Sequence, residues 1–76
     1  MIQTGKYYRH RIYHSFIKVE DSDKKYPSGV GFHKNDAGCV GMGDCNILQP
    51  NQYIEISKEE FEKQKEKIQE NILSRF

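Results

Sequence analysis

The fold is decided by a glycine-rich stretch, residues 29–43, which reads GVGFHKNDAGCVGMG and holds five of the six glycines. Short apolar pieces around Val30 and Val40 flank the turn-forming sequence NDAG at residues 35–38. This alternation predicts two short strands joined by a hairpin. Glycines inside strands are typical of bulges or of a second backbone that comes close. We therefore expect an antiparallel hairpin in the middle of the chain.

The segment before this hairpin, residues 6–20, is rich in aromatic and β-branched residues and predicts extended chain. It is long enough for one bent strand, or for two strands that meet near His10 and Arg11. Side chains alternate between the faces of a strand, so Ile17 lies on one face and Phe16 on the other. Apolar residues on both faces are typical of a sheet that is covered on both sides.

The C-terminal part of the chain predicts a last short strand at residues 53–56 and an amphipathic helix at residues 57–75. Ser57 and Glu60 have the spacing of a capping box, and Ile56 and Phe61 that of a hydrophobic staple. The apolar stripe of the helix comprises Phe61, Ile68, Ile72, Leu73 and Phe76. The residues thus predict one α+β domain, 1–76, in which a small bent antiparallel sheet of four or five short strands packs against the C-terminal helix.

Composition limits the classes of protein that this chain can form. Its 76 residues are 36% hydrophobic and 30% charged, which excludes a multi-domain enzyme and a large cofactor enclosed in the core. No apolar run approaches the roughly 20 residues of a membrane span, and we expect no signal peptide. We expect a cytoplasmic protein that has no membrane partner. Five tyrosines and four phenylalanines against two leucines predict a thin aromatic core and a homo-oligomer, dimeric or larger.

The net charge of +1 is the sum of unlike parts. Residues 1–19 carry +4, residues 20–56 carry −3, and residues 57–76 are neutral. A basic arm beside an acidic segment favours binding of an anion or of a charged partner. The near-neutral total is unlike that of a dedicated nucleic-acid coat protein.

Both ends of the chain carry a resemblance. The opening GKYYRHR, residues 5–11, and the closing YIEISKEEF, residues 53–61, resemble the ends of small, mostly uncharacterised proteins encoded by bacteriophages and mobile elements. Several of those proteins are SH3-like barrels that end in a helix. The resemblance therefore implies an SH3-like barrel and a phage-type origin. Residues 29–46 match no pattern of that group, so no site residue is carried over.

The residues favour an anionic ligand, for example a nucleotide. Backbone amides in a glycine-rich loop at residues 29–34 could surround a phosphate. Arginines of the basic arm would neutralise it, and aromatic rings would stack on a base. The loop matches neither the Walker nor the dinucleotide fingerprint, and turns and bulges are the other role that its glycines could have. The predicted ligand-binding residues are Tyr7, Arg9, Arg11, Gly29, Gly31, Phe32, His33 and Lys34.

These features lead us to expect a non-catalytic binding protein without a cofactor. Given the resemblance, it would act stoichiometrically on a bacterial host component, such as an immune factor or its nucleotide second messenger. One alternative function is binding of single-stranded nucleic acid, because cations alternate with aromatic rings in residues 6–11.

A further alternative is zinc or thiol chemistry at Cys39 and Cys45. A zinc site would need more ligands, from His33 or the His10 and His14 pair, and a disulfide between the two cysteines is a third state. A cysteine nucleophile would need His33 and a lowered thiol pKa, which an acid beside Cys45 works against. Reduced thiols without a catalytic role are the simpler interpretation.

Overall fold

The computed structural model describes residues 2–35 and 39–73. Two hairpins come first, formed by β1 (Tyr7–His10) with β2 (His14–Asp21) and by β3 (Ser28–Lys34) with β4 (Val40–Asn46). A 3₁₀ turn (Pro50–Gln52) leads into β5 (Tyr53–Ile56), and the helix α1 (Lys58–Leu73) follows. The prediction of a small α+β fold with four or five short strands and a C-terminal helix is confirmed, and the strands number five.

The strands form one antiparallel sheet in the order β4-β3-β2-β1-β5. Residues 6–20 are therefore two strands, with residues 11–13 as the turn between them. The turn is held by His10, whose Nδ1 accepts hydrogen bonds from the amides of Ile12 and Tyr13 at 3.1 and 3.2 Å. In a single strand over residues 6–20, His10 and His14 would share one face, but the turn places them on adjacent strands and opposite faces.

The central hairpin forms as predicted. All seven residues of β3 pair with β4 in unbroken register. The amide of Asn35 donates to the Cys39 carbonyl, and the amide of Cys39 donates to the Asn35 side-chain oxygen, each at 2.9 Å. The predicted turn residues 36–38 lie outside the described part of the chain.

Each face of the sheet carries its own small core. On the helix side, four buried residues pack together, Phe16, Phe32, Phe61 and Ile68. On the other side, the buried residues are Tyr8, Ile17, Val19 and Ile47. Ile47 belongs to the connection from β4 to β5. Because these two strands lie at opposite edges of the sheet, the connection crosses and covers that face. The predicted covering of both faces and the aromatic core are confirmed.

The helix begins and packs as its sequence indicates. The amide of Glu60 donates to Ser57 Oγ at 3.1 Å, and Ile56 packs against the core that holds Phe61. The predicted stripe is wrong at Leu73, whose side chain is 70% exposed. The side chains of Ile72 and Phe76 and the predicted helix end at residues 74–75 lie outside the described residues. No helix within 2–35 and 39–73 is long and apolar enough to span a membrane.

Two strand glycines mark a close approach of backbones. A Cβ atom at Gly29 would overlap the Lys18 carbonyl oxygen, and one at Gly31 would overlap the Phe16 carbonyl oxygen. Both glycines face the side of the sheet opposite the helix and are buried. Only a residue without a side chain allows the backbones of β2 and β3 to lie this close together.

Candidate functional site

The predicted phosphate-binding loop is not a loop. Residues 29–34 lie within strand β3 and pair with β2 on one side and β4 on the other. In a central strand the backbone amides are used in the two ladders, so they cannot surround a phosphate. The prediction that Gly29 and Gly31 hold an anion through their amides is therefore wrong, and they serve the close backbone packing instead.

The two aromatic residues among the predicted ligand-binding residues, Phe32 and Tyr7, pack in or against the helix-side core. Phe32 is 3% exposed, and its ring centroid lies 5.0 Å from that of Phe16 and 5.0 Å from that of Phe61. Its ring is thus buried among protein side chains, so the prediction that it stacks on a base is wrong. Tyr7 is half-buried, with its ring centroid 4.8 Å from that of Phe61.

The predicted arginine pair is divided by the turn. Arg9 lies in β1 opposite Phe16, and its Nε atom is buried and has no hydrogen-bond partner. Arg11 is exposed in the turn, where its amide donates to the Gln52 carbonyl at 2.8 Å. In a longer strand, Tyr7, Arg9 and Arg11 would share one face, but β1 ends at His10, so Arg11 does not join Arg9 on that face.

His33 and Lys34 point to opposite faces because they are neighbours in β3. His33 lies on the face away from the helix, where it shares a shallow cavity of about 200 Å³ with Cys45 and Gly41. Lys34 lies on the helix side and lines a cavity of about 330 Å³ beside the C-terminal half of α1. His14 and Lys67 line this same cavity.

Both cysteines are free thiols in the structure, so the disulfide considered above is not formed. Burial raises the pKa of the Cys45 thiol, and the neighbouring Asp44 charge raises it further. A nucleophilic cysteine needs a lowered pKa, so the surroundings of Cys45 oppose that chemistry. Across residues 2–35 and 39–73, no cluster of three or more His, Cys, Asp or Glu side chains could hold a metal ion.

The difference between the two thiols can be measured directly. We expect iodoacetamide near neutral pH to modify the exposed Cys39 at least severalfold faster than Cys45, since the thiolate is the reacting form. Peptide mass spectrometry of timed samples gives both rates in one experiment. Equal rates in the folded protein would contradict the placement of Cys45, and equal rates in urea provide the control.

Three lysines lie around an apolar surface elsewhere, in what we call the helix-side groove. This cavity of about 340 Å³ runs between the first half of α1 and strands β2, β3 and β4. Its lining residues are Tyr7, Lys18, Val30, Gly31, Phe32, Met42, Lys58, Phe61, Glu62 and Lys65. Three of the predicted ligand residues, Tyr7, Gly31 and Phe32, are among them.

The floor of the helix-side groove is apolar and partly open to solvent. Val30 is 43% exposed and Met42 52% exposed, and the two lie in adjacent strands on the helix side of the sheet. Tyr7 and Phe61 close the floor toward the helix. A flat apolar ligand could cover the exposed surface of Val30 and Met42.

Three lysines line the groove, and all three lower the pKa of the acid Glu62. Lys65 Nζ lies 2.8 Å from the Glu62 carboxylate, one helical turn away. The pKa of Glu62 is lowered, first by the hydrogen bond from Lys65 and then by the positive charges of Lys65, Lys58 and Lys18. The groove thus brings three cations and one anion together, which leaves it with a net positive charge.

Comparison with known proteins adds no information on this site, since no family model, curated protein or solved structure matches the chain. The sequence did contain part of the signal. Lys58, Phe61, Glu62 and Lys65 follow the spacing of one helix face. Lys18 comes from β2, forty residues earlier, and only the packing of the helix on the sheet brings it to the same groove.

Proposed function

We propose that this protein is a non-catalytic binding protein for a small anionic ligand with a flat apolar part, such as a nucleotide, and that the ligand occupies the helix-side groove. The proposal depends on one observation: Lys18, Lys58 and Lys65 lie together around an apolar floor. The acid that lines the same groove is Glu62. Lysine ammonium groups are compact charges that bind phosphate from several directions. The exposed surface of Val30 and Met42 would contact the base.

The size of the groove supports a small ligand. Its volume of about 340 Å³ lies at the lower end of the range for small-molecule sites, roughly 300–1,000 Å³. A mononucleotide or one half of a dinucleotide has a suitable size. This is the anionic ligand expected from the sequence, bound by other cations than Arg9 and Arg11.

The single-stranded nucleic-acid alternative has less support. It requires the aromatic residues of the basic run to face a common ligand. Tyr8 is 3% exposed on one face of the sheet, and Tyr7 is half-buried against Phe61 on the other.

We also propose that the sheet is an open form of the SH3-like barrel implied by the resemblance. Its support is the position of β1 between β2 and β5, together with the connection through the 3₁₀ turn that crosses one face. Sequestration of a host nucleotide signal would be the biological setting of the binding function. That setting rests on the resemblance of the two ends of the chain.

Calorimetry with a matched set of lysine variants tests the binding proposal. We expect wild-type protein to bind at least one member of a panel of linear and cyclic nucleotides, and Lys18→Ala to weaken that binding about tenfold, the effect of one charged hydrogen bond. The double variant Lys18→Ala/Lys65→Ala should lose more. Lys63→Ala is the control, since Lys63 is exposed and lies outside the groove lining.

Two results would overturn the proposal. One is the absence of heat with every nucleotide in the panel. The other is equal affinity of the Lys63→Ala control and the double variant.

A further inference from the structure

The edge strand β4 has unused hydrogen-bonding groups along its outer side. In an antiparallel pair, every second residue directs its N–H and C=O toward the neighbouring strand, and the others direct them away. The amide of Asn35 donates to the Cys39 carbonyl and the amide of Ile47 donates to the Pro27 carbonyl, so the odd-numbered residues face β3. The residues that direct their backbone groups outward are Val40, Met42, Asp44 and Asn46.

This edge lacks the usual protection against strand pairing. Natural sheets protect their edges with lysines, prolines, bulges or very short strands. Strand β4 is seven residues long, has no lysine or proline, and pairs with β3 without a bulge. Its one charged residue is Asp44. The opposite edge, β5, is only four residues long, and its Glu55 is paired with Lys6 at 3.4 Å.

We propose that β4 pairs antiparallel with β4 of a second copy of this chain, around a two-fold axis at Gly43. This register uses all four outward-facing residues, since Val40 pairs with Asn46 of the second copy and Met42 with its Asp44. A two-fold interface is self-complementary, so each contact occurs twice. The register also keeps the two Asp44 side chains from lying directly opposite each other, an arrangement that would be destabilising.

The pairing has a consequence for the helix-side groove. A two-fold axis perpendicular to the sheet keeps the same face of both copies on the same side. Both helices then lie on that side, with the half-exposed Val30 and Met42 of each copy on the strip between them. Met42 lines the groove and lies on the paired strand, so the second copy extends the floor of the site. The pairing itself does not depend on the nature of the ligand.

Sedimentation of the ligand-free protein tests the pairing with two variants of one residue. Met42→Asp places an acid directly opposite Asp44 of the second copy, and Met42→Lys places a base there. We expect wild-type protein and Met42→Lys to sediment as dimers, and Met42→Asp to have a dissociation constant about tenfold higher than that of Met42→Lys. Circular dichroism of the two variants confirms that each is folded.

Amide hydrogen exchange provides a second readout on the unmodified chain. On dilution from dimer to monomer, we expect faster exchange at Val40, Met42, Asp44 and Asn46, and unchanged exchange at the odd-numbered residues between them. A monomeric wild-type protein at every concentration would overturn the proposal. So would equal dissociation constants for the two Met42 variants. Because ligand is absent from both experiments, their failure would leave the binding function untouched.

Discussion

Replacement of Phe32 by alanine is expected to lower the free energy of unfolding by about 3–5 kcal/mol. Phe32 is 3% exposed in the helix-side core, and its ring centroid lies 5.0 Å from that of Phe16 and 5.0 Å from that of Phe61. Alanine would leave a cavity between the sheet and the helix. A domain of this size has only a few kcal/mol of net stability, so much of the protein would be unfolded in water. Urea denaturation followed by circular dichroism measures the loss.

The conservative variant Phe32→Leu separates the structural role from a role in stacking on a ligand. Leucine keeps most of the buried volume, so we expect a loss below about 1.5 kcal/mol and a folded protein. Since the Phe32 ring is buried in the helix-side core, nucleotide affinity should change by no more than a few fold. A folded Phe32→Leu protein without nucleotide binding would instead support direct stacking and contradict the position of this ring.

Replacement of Gly29 by alanine is expected to destabilise the protein by about 3 kcal/mol, the upper part of the range for overpacked sites. The added Cβ would overlap the Lys18 carbonyl oxygen, which is backbone and can move only if β2 and β3 separate. Val30→Ala introduces the same residue type at the next position, where the side chain is 43% exposed on the opposite face. We expect its loss to stay below about 1 kcal/mol.

Thermal unfolding of the two alanine variants in parallel gives the comparison. Equal melting temperatures would show that residue 29 has room for a side chain. The close approach of β2 and β3 at Gly29 would then be incorrect, and the glycines of residues 29–34 would again indicate a loop.

Local patterns predicted the elements of this fold well. The cap at Ser57, the staple formed by Ile56 and Phe61, and the strand at residues 53–56 depend on near neighbours in the chain, so the sequence alone shows them. Leu73 was misplaced because a helical pattern does not show where the sheet beneath the helix ends.

The site was harder to predict, for two physical reasons. Glycines at residues 29 and 31 suit both a loop and a tightly packed strand, and the neighbouring strand β2 determines which of the two forms. Alternation along residues 7–11 fails at the turn that ends β1, which removes Arg11 from the face that Arg9 shares with Tyr7. The lysines of the groove come from β2 and α1, and only the docking of the helix brings them together.

The central claim is that a small anionic ligand binds in the helix-side groove, and a nuclear magnetic resonance titration tests it most directly. Amide signals of the ¹⁵N-labelled protein would be followed while the nucleotide that binds most tightly in calorimetry is added. We predict small shifts on the face of the sheet away from the helix, which carries Cys45. The largest shifts are expected at residues that line the groove: Lys18, Val30, Met42, Lys58, Phe61 and Lys65. Shifts centred on the turn at residues 11–13 or on His33 and Cys45, or no shifts at all, would contradict the account.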